Sequence, residues 1–218
     1  MTLKANGIDL FYKKSGNGAP LLLLHGNGED HTIFDALSEK MQKYFTIYAI
    51  DSRNHGQSSK TTDFSYQTMA EDISQFITAL DLKDVSIVGF SDGAIIATML
   101  ELEHPNTFKQ MALLGINLKP SDFKEGNLAY LSAEYEKTKD PLLKLMLEEP
   151  NIELSSLKAI NTHTLVVRAE DELFDDALYT EIVNTMPNAQ LLIMENHSHD
   201  SYVVNSDTLF NHLIVFLR

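Results

Sequence analysis

The chain has 218 residues, of which 31 are acidic, 17 are basic and none is cysteine, and its formal net charge is −14. This length suits a single domain over residues 1–218. The excess of acidic residues argues against binding to nucleic acid or to an anionic membrane. The lack of cysteine excludes disulfides, thiolate catalysis and cysteine-ligated metals. Because Met1–Gly7 is no apolar secretion signal and no run is long enough to span a bilayer, we expect a cytoplasmic protein.

Two strands and a glycine-bracketed loop are predicted first. Residues 10–14 have a strand-like pattern, and the four leucines at 21–24 are typical of a strand buried on both faces of a parallel sheet. The next residues, His25-Gly26-Asn27-Gly28, allow the backbone to approach a ligand closely, so the Asn27 N–H is a candidate oxyanion donor. An ordinary loop in which Asp30 caps the next helix also fits this pattern.

A helix, a strand and a longer helix follow. Ile33, Leu37 and Met41 share one helical face, and residues 46–50 return as a strand. After the loop at residues 51–58, apolar side chains from Tyr66 to Leu80 recur at helical spacing, which predicts an amphipathic helix packed on the sheet.

The segment from Val85 to Ala97 changes from a β-rich apolar run to small helix formers, and Gly-x-Ser-x-Gly lies at the change. A serine on so tight a turn usually has a strained backbone and needs small neighbours, here Gly89 and Gly93. Ser91 would project above the strand end, and the Asp92 N–H would face the same space from the helix N-terminus. The motif therefore predicts a nucleophile elbow, although an inert βα turn fits the same residues.

Residues 111–114 close another βα crossover, so the chain so far predicts a doubly wound, mostly parallel sheet of the α/β class. The alternation stops between about residues 117 and 157, where charged and apolar residues mix and Asp140-Pro141 opens a short helix. We interpret residues 117–157 as a small helical cap over the carboxyl ends of the strands. A plain pair of crossover helices is the alternative.

The last third returns to strands at residues 164–168 and 190–194, with helices marked by apolar residues at 178–186 and 209–217. An acidic cluster, Ala169-Glu170-Asp171-Glu172, follows the first strand, and His197-Ser198-His199-Asp200 follows the second. Loops at the carboxyl ends of parallel strands converge, so a base and a carboxylate can both reach Ser91. The remaining histidines form no group with metal-ligand spacing, so no metal is predicted.

With these pieces in order, the chain resembles the α/β-hydrolase superfamily over essentially its whole length. The resemblance rests on residues 25–28, on Asp51-Ser52-Arg53-Asn54-His55-Gly56-Gln57-Ser58, on residues 89–93 and on Ser198-His199. It implies a sheet of about eight strands, Ser91 as nucleophile, His199 as base, and the N–H groups of Asn27 and Asp92 as oxyanion hole. It also implies hydrolysis of an ester, amide, thioester or similar bond without a cofactor.

Two departures from the family pattern leave alternatives open. Asn54 and His55 replace the first glycine and the following residue of the usual Asp-x-Arg-Gly-x-Gly-x-Ser loop. The family's Gly-x-x-Asp after the seventh strand is Ala169-Glu170-Asp171-Glu172 here, so register favours Glu172 as the acid while residue type favours Asp171. His197 competes with His199, which we prefer because Ser198 supplies the small residue that often precedes the family's histidine.

The leading hypothesis is a small-molecule carboxylesterase, a monomer or homodimer. A carbon–carbon bond hydrolase of diketone-like substrates is an alternative within the enzymes, and a non-catalytic small-molecule binding module is the alternative outside them. The carboxylate of Asp92, beside the nucleophile, would favour a cationic acyl group if it faces the substrate. If it does not, it points to solvent or caps its own helix.

Overall fold

The structure is a computed structural model that describes residues 1–218. Eight strands form one sheet in the order β1-β2-β4-β3-β5-β6-β7-β8. Only the β1–β2 and β2–β4 pairs are antiparallel, and every other pair is parallel. The predicted fold class, a mostly parallel sheet of about eight strands, is confirmed. The strands are β1 Thr2–Ala5, β2 Ile8–Ser15, β3 Ala19–Leu24, β4 Phe45–Ile50, β5 Ser86–Phe90, β6 Gln110–Leu114, β7 His163–Asp171 and β8 Ala189–Ser198.

Seven α-helices accompany the sheet, and none of them is both long enough and apolar enough to cross a membrane. Shorter 3-10 helices lie at residues 31–34, 120–122 and 154–159. The α-helices are α1 Asp35–Met41, α2 Tyr66–Ala79, α3 Asp92–Glu103, α4 Glu125–Thr138, α5 Pro141–Glu148, α6 Asp176–Thr185 and α7 Phe210–Leu217.

The leucine run of β3 shows how the sheet acquires two cores. All four side chains are fully buried, which confirms the prediction of a strand covered on both faces. Leu22 and Leu24 join a cluster of 35 buried residues that includes side chains from α2, α3 and α6. Leu21 and Leu23 point the other way, into a cluster of 23 that includes side chains from α1 and α7. Side chains alternate along a strand, so only a continuous apolar run fills both layers.

The loop at residues 51–58 is held by its backbone geometry and by contacts with buried side chains. Asn54 has φ 67, in the left-handed region that asparagine tolerates better than most residues. Gly56 packs directly on Asp51, because a Cβ there would lie 2.1 Å from Asp51 Oδ2. Arg53 donates to both oxygens of buried Asp72 on α2, at 2.9 and 2.7 Å, and so ties the loop to that helix.

Three parts of the fold differ from the pattern reading. β1 was not predicted, since four residues at a sheet edge carry too short a pattern. α4 was not predicted either, because only Leu131 among its side chains is buried and no apolar stripe marks it. Two strands extend beyond their predicted ends, β7 from 168 to Asp171 and β8 from 194 to Ser198, so His197 and Ser198 lie in the strand and not in the loop after it. Residues 117–157 hold α4 and α5, and their interpretation as a cap stays a prediction.

Candidate active site

Ser91 lies between β5 and α3, with φ 51 and ψ −112, a combination that non-glycine residues rarely adopt. Its N–H donates to the Leu114 carbonyl at 2.8 Å, which fixes the turn against β6. A Cβ at Gly89 would lie 2.3 Å from the Gly93 carbonyl oxygen, and one at Gly93 would lie 2.2 Å from that of Leu24. Glycine is therefore required at both positions for the strand and the helix to pass so closely.

The loop after β3 approaches Ser91 from the side. A Cβ at Gly26 would lie 3.1 Å from Ser91 Cβ, and the backbone N–H of Asn27 donates to no other protein group. The Asp92 N–H is at the first position of α3, where no partner exists within the helix. Two N–H groups thus remain available beside Ser91.

Buried His25 supports this loop. Its Nε2 accepts the Ser52 N–H at 3.0 Å, so the proton is on Nδ1, which donates to the Gly26 carbonyl at 2.8 Å. Burial, followed by repulsion from His55, lowers the pKa of His25 to about 4. The imidazole is therefore neutral at physiological pH, as both hydrogen bonds require.

His199 follows β8, and its Nδ1 is hydrogen-bonded to Glu172 Oε1. The Glu172 side chain is buried, and it also accepts the N–H groups of Leu173 at 2.8 Å and Ala169 at 3.2 Å. Burial by itself opposes ionisation, but the hydrogen bond and charge of His199 outweigh it and lower the pKa of Glu172. A charged carboxylate is thus held against Nδ1 of the imidazole.

The three consecutive acids after Ala169 point in different directions. Glu170 Oε2 accepts the Asn196 N–H of β8 at 2.6 Å. Asp171 is exposed at the cavity rim, and only Glu172 reaches His199. The pairing of β7 with β8 is irregular between Ala169 and Asp171, which alters the simple alternation of side chains there.

His197, the competing base, lies elsewhere. Its Nδ1 is 2.9 Å from Ser201 Oγ, and it does not line the cavity that contains Ser91 and His199. The imidazole of His199 instead packs on Phe90 and Phe174, with ring centroids 5.0 and 5.6 Å away.

One cavity of about 450 Å³ contains the predicted site residues Asn27, Ser91, Asp171, Glu172 and His199. Its other lining residues come from two strand ends, from loops and from residues 117–157, and no lysine or arginine is among them; they are Gly26, Glu29, Phe90, Asn127, Met146, Leu173, Ser198 and Asp200.

Two carboxylates in this region have hydrogen-bond partners within the protein. The Asp92 side chain is buried and accepts from Tyr66 Oη at 2.8 Å and from Asn27 Nδ2 at 3.0 Å. It therefore neither points to solvent nor caps its own helix, as one reading of the sequence had it. Glu29 Oε2 accepts the Gly26 N–H at 2.9 Å, and burial raises the pKa of Glu29 to about 7.

Sequence reasoning missed Gly115, directly after β6. It has φ 59, and a Cβ there would lie 2.5 Å from His199 Cε1. The missing side chain makes room for the imidazole. A single glycine after a strand gives no sign of such a contact in the sequence, since its neighbour is 84 positions away along the chain.

Comparison with known proteins identifies the family of the fold. A family model described as "alpha/beta hydrolase fold" matches residues 19–148, more than half of the chain. A segment of 98 residues is 35% identical to ethanol acetyltransferase 1 of Cyberlindnera jadinii, covering 44% of this chain and 29% of that protein. The chain spans half or less of the length of the curated relatives it matches.

Solved structures extend the likeness to the whole fold. An esterase from Exiguobacterium antarcticum superposes with a TM-score of 0.87 at 18% identity, over 100% of this chain and 98% of that one. A meta-cleavage product hydrolase from Pseudomonas fluorescens IP01 superposes with a TM-score of 0.82 at 18% identity, over 100% and 97%. The resemblance drawn from the sequence motifs is confirmed, and the chain belongs to the alpha/beta hydrolase fold family.

Proposed function

We propose that the chain is a serine hydrolase that cleaves an ester, amide or thioester bond of a small molecule through an acyl-enzyme intermediate. One observation carries the proposal: strained Ser91 shares a cavity with His199, whose Nδ1 is bonded to buried Glu172. Nucleophile, base and orienting acid are the three groups that such a reaction needs.

In the first half-reaction, Ser91 Oγ attacks the carbonyl carbon while His199 Nε2 accepts the hydroxyl proton. The carbonyl oxygen becomes an oxyanion, which the N–H groups of Asn27 and Asp92 stabilise. Glu172 holds the Nδ1 proton and stabilises the imidazolium. The tetrahedral intermediate then collapses: the bond to the leaving group breaks, and His199 donates its proton to that group.

In the second half-reaction, water takes the place of the leaving group. His199 Nε2 accepts a proton from the water, whose oxygen attacks the acyl carbon. Collapse releases the carboxylic acid and returns the proton to Ser91 Oγ. No redox change occurs, so no cofactor is needed.

The cavity limits the substrate class. Its volume of about 450 Å³ suits a small molecule. Glu29, Asp171 and Asp200 line it, and no lysine or arginine does. Anionic acyl groups would therefore meet repulsion, and we expect neutral or cationic substrates to react faster.

Labelling with a fluorophosphonate, followed by mass location of the adduct, tests the nucleophile. We expect the wild-type protein to be labelled at Ser91, and Ser91→Ala to lose both the label and turnover of p-nitrophenyl acetate while staying folded. Ser198→Ala is the matched control, because Ser198 lines the same cavity and should be dispensable for labelling. Turnover retained in Ser91→Ala would overturn the proposal, and an unlabelled, inactive wild type would favour a non-catalytic binding module.

A carbon–carbon bond hydrolase of diketone-like substrates is the second candidate. The likeness to the meta-cleavage product hydrolase over the whole chain motivates it, and the same serine could attack a ketone carbonyl. Benzoylacetone and p-nitrophenyl acetate separate the two candidates. We expect the ester to have the higher kcat/KM, and a diketone preference of tenfold or more would support the alternative.

A further inference from the structure

The carboxylate of Asp92 lies directly beside the candidate nucleophile, yet both its oxygens are occupied by protein groups. Tyr66 Oη donates to Oδ1 at 2.8 Å, and Asn27 Nδ2 donates to Oδ2 at 3.0 Å. Tyr66 is fully buried and Asp92 is 4% exposed. A carboxylate in such a place is costly unless its hydrogen bonds are made, and burial raises the pKa of Asp92 accordingly.

Two other roles for the side chain do not fit this position. Asp92 is 4% exposed and does not line the cavity that contains Ser91 and His199, so an acyl-group cation in that cavity would not meet its carboxylate. The acid partner of His199 is Glu172. What remains is the connection that Asp92 makes between its own helix and Asn27.

The backbone of Asn27 needs a side-chain anchor to hold its position. It lies between Gly26 and Gly28, the latter at φ 73, so its loop has little steric restraint of its own. Its backbone N–H has no protein partner. An oxyanion donor has to lie within about 3 Å of the developing charge, and the Asn27 side chain provides the anchor that its N–H lacks.

The same two partners of Asp92 also contact α5 at its two ends. Asn27 Nδ2 donates to the Leu142 carbonyl, near the start of α5, at 3.2 Å. The Tyr66 N–H donates to Glu149 Oε2, directly after the helix, at 3.1 Å. The network therefore joins the start of α3, the loop after β3, the start of α2 and α5, whose Met146 lines the cavity.

We propose, on the basis of the hydrolase function above, that Asp92 is a positioning residue whose carboxylate holds the Asn27 N–H in place for the oxyanion. Asn27 and Tyr66 extend this restraint to α5, so that the position of that helix and the position of the Asn27 N–H depend on the same hydrogen bonds. Asp92 has two separate contributions: its backbone N–H binds the oxyanion, and its side chain fixes the second donor.

The test compares Asn27→Ala and Tyr66→Phe with the wild type on p-nitrophenyl acetate. Asn27→Ala keeps the backbone N–H but removes the anchor, and we expect kcat to fall about 10²-fold with KM within threefold, as for a misplaced transition-state donor. Tyr66→Phe removes one hydroxyl and should lower kcat about tenfold. Tyr48→Phe is the matched control, since Tyr48 is a buried tyrosine of β4 in the same core cluster and its hydroxyl makes no such contact.

Because both changes act through one carboxylate, the double variant should lose less than the product of the single losses. Asp92→Asn should retain activity within about tenfold, because a rotated amide can accept from Asn27 and donate to Tyr66, whereas Asp92→Ala should not. Thermal unfolding is measured on every variant, and kcat is compared well below the lowest Tm.

The outcomes separate this inference from the function on which it rests. A wild type that neither takes the label nor hydrolyses the ester overturns both. An active wild type overturns the positioning role alone if Asn27→Ala keeps kcat within twofold, or if the single losses multiply in the double variant. A lowered Tm with unchanged kcat would mean a purely structural network and would also overturn it.

Discussion

The substitution Glu172→Gln is the most direct test of which carboxylate orients His199. The change keeps the size of the side chain and one carbonyl oxygen, but it removes the charge that faces Nδ1. Without that charge the imidazolium formed in the transition state is no longer stabilised, and the amide can hold the wrong tautomer. We expect kcat to fall about 10³- to 10⁴-fold, which corresponds to roughly 4 to 5.5 kcal/mol of transition-state stabilisation.

Asp171→Asn is the matched control, because it neutralises the neighbouring carboxylate. Asp171 is exposed and makes no hydrogen bond to His199, so water already screens its charge. We expect less than a tenfold change in kcat. Steady-state turnover of p-nitrophenyl acetate by both variants, with circular dichroism to check folding, provides the comparison. A larger loss in Asp171→Asn than in Glu172→Gln would refute the assignment.

The stability of the same variant has a predictable pH dependence. The pKa of Glu172 is lowered in the folded protein, which means that the ionised carboxylate is more stable in the folded protein than in the unfolded chain. Its contribution to the free energy of unfolding is therefore present above the unfolded pKa, near 4.5, and is lost as the pH falls through the folded pKa. Glu172→Gln should be less stable than wild type at pH 7, and the gap should narrow in acid.

Three further outcomes are expected. His199→Ala should lower kcat about 10³-fold or more while His197→Ala is much milder, and the reverse ranking in steady-state kinetics would move the base to His197. Burial raises the pKa of Glu29 to about 7, so this carboxyl lowers the free energy of unfolding as the pH rises from about 4.5 to 7, whereas His25, whose pKa is lowered to about 4, acts in the opposite direction over much of that range. Glu29→Gln, which keeps an acceptor for the Gly26 N–H, should therefore gain stability relative to the wild type as the pH rises through this range in thermal unfolding, and a constant difference between the two proteins would contradict it. Gly115→Ala should destabilise the fold by about 1–2 kcal/mol because residue 115 has a positive φ. It should also lower kcat about tenfold or more, because the added methyl group displaces His199. A kcat equal to that of the wild type would show that the imidazole has room for a methyl group.

The α/β class, the parallel pairing of the central strands and the tight turn between a strand and a helix at Ser91 could be predicted from the sequence by itself. Their signals are local: four consecutive leucines occur where a strand is buried on both faces, and Gly89 and Gly93 flank Ser91 where backbone segments cross. Periodicity and glycine placement determine such features without knowledge of distant contacts. The candidates Ser91 and Asn27 rest on the same local signals, whereas the choice of His199 as base rests on the resemblance to the α/β-hydrolase superfamily.

Contacts between residues far apart in the chain were decided only by the tertiary structure. Glu170, Asp171 and Glu172 are three adjacent acids beside an irregular stretch of the β7–β8 pairing, and only Glu172 contacts His199, 27 positions later. Asp92 could have faced a substrate, water or the protein, and Tyr66 and Asn27 decide that it faces the protein. A carboxylate has the same local pattern in each case, because its role depends on which donors the fold places beside it.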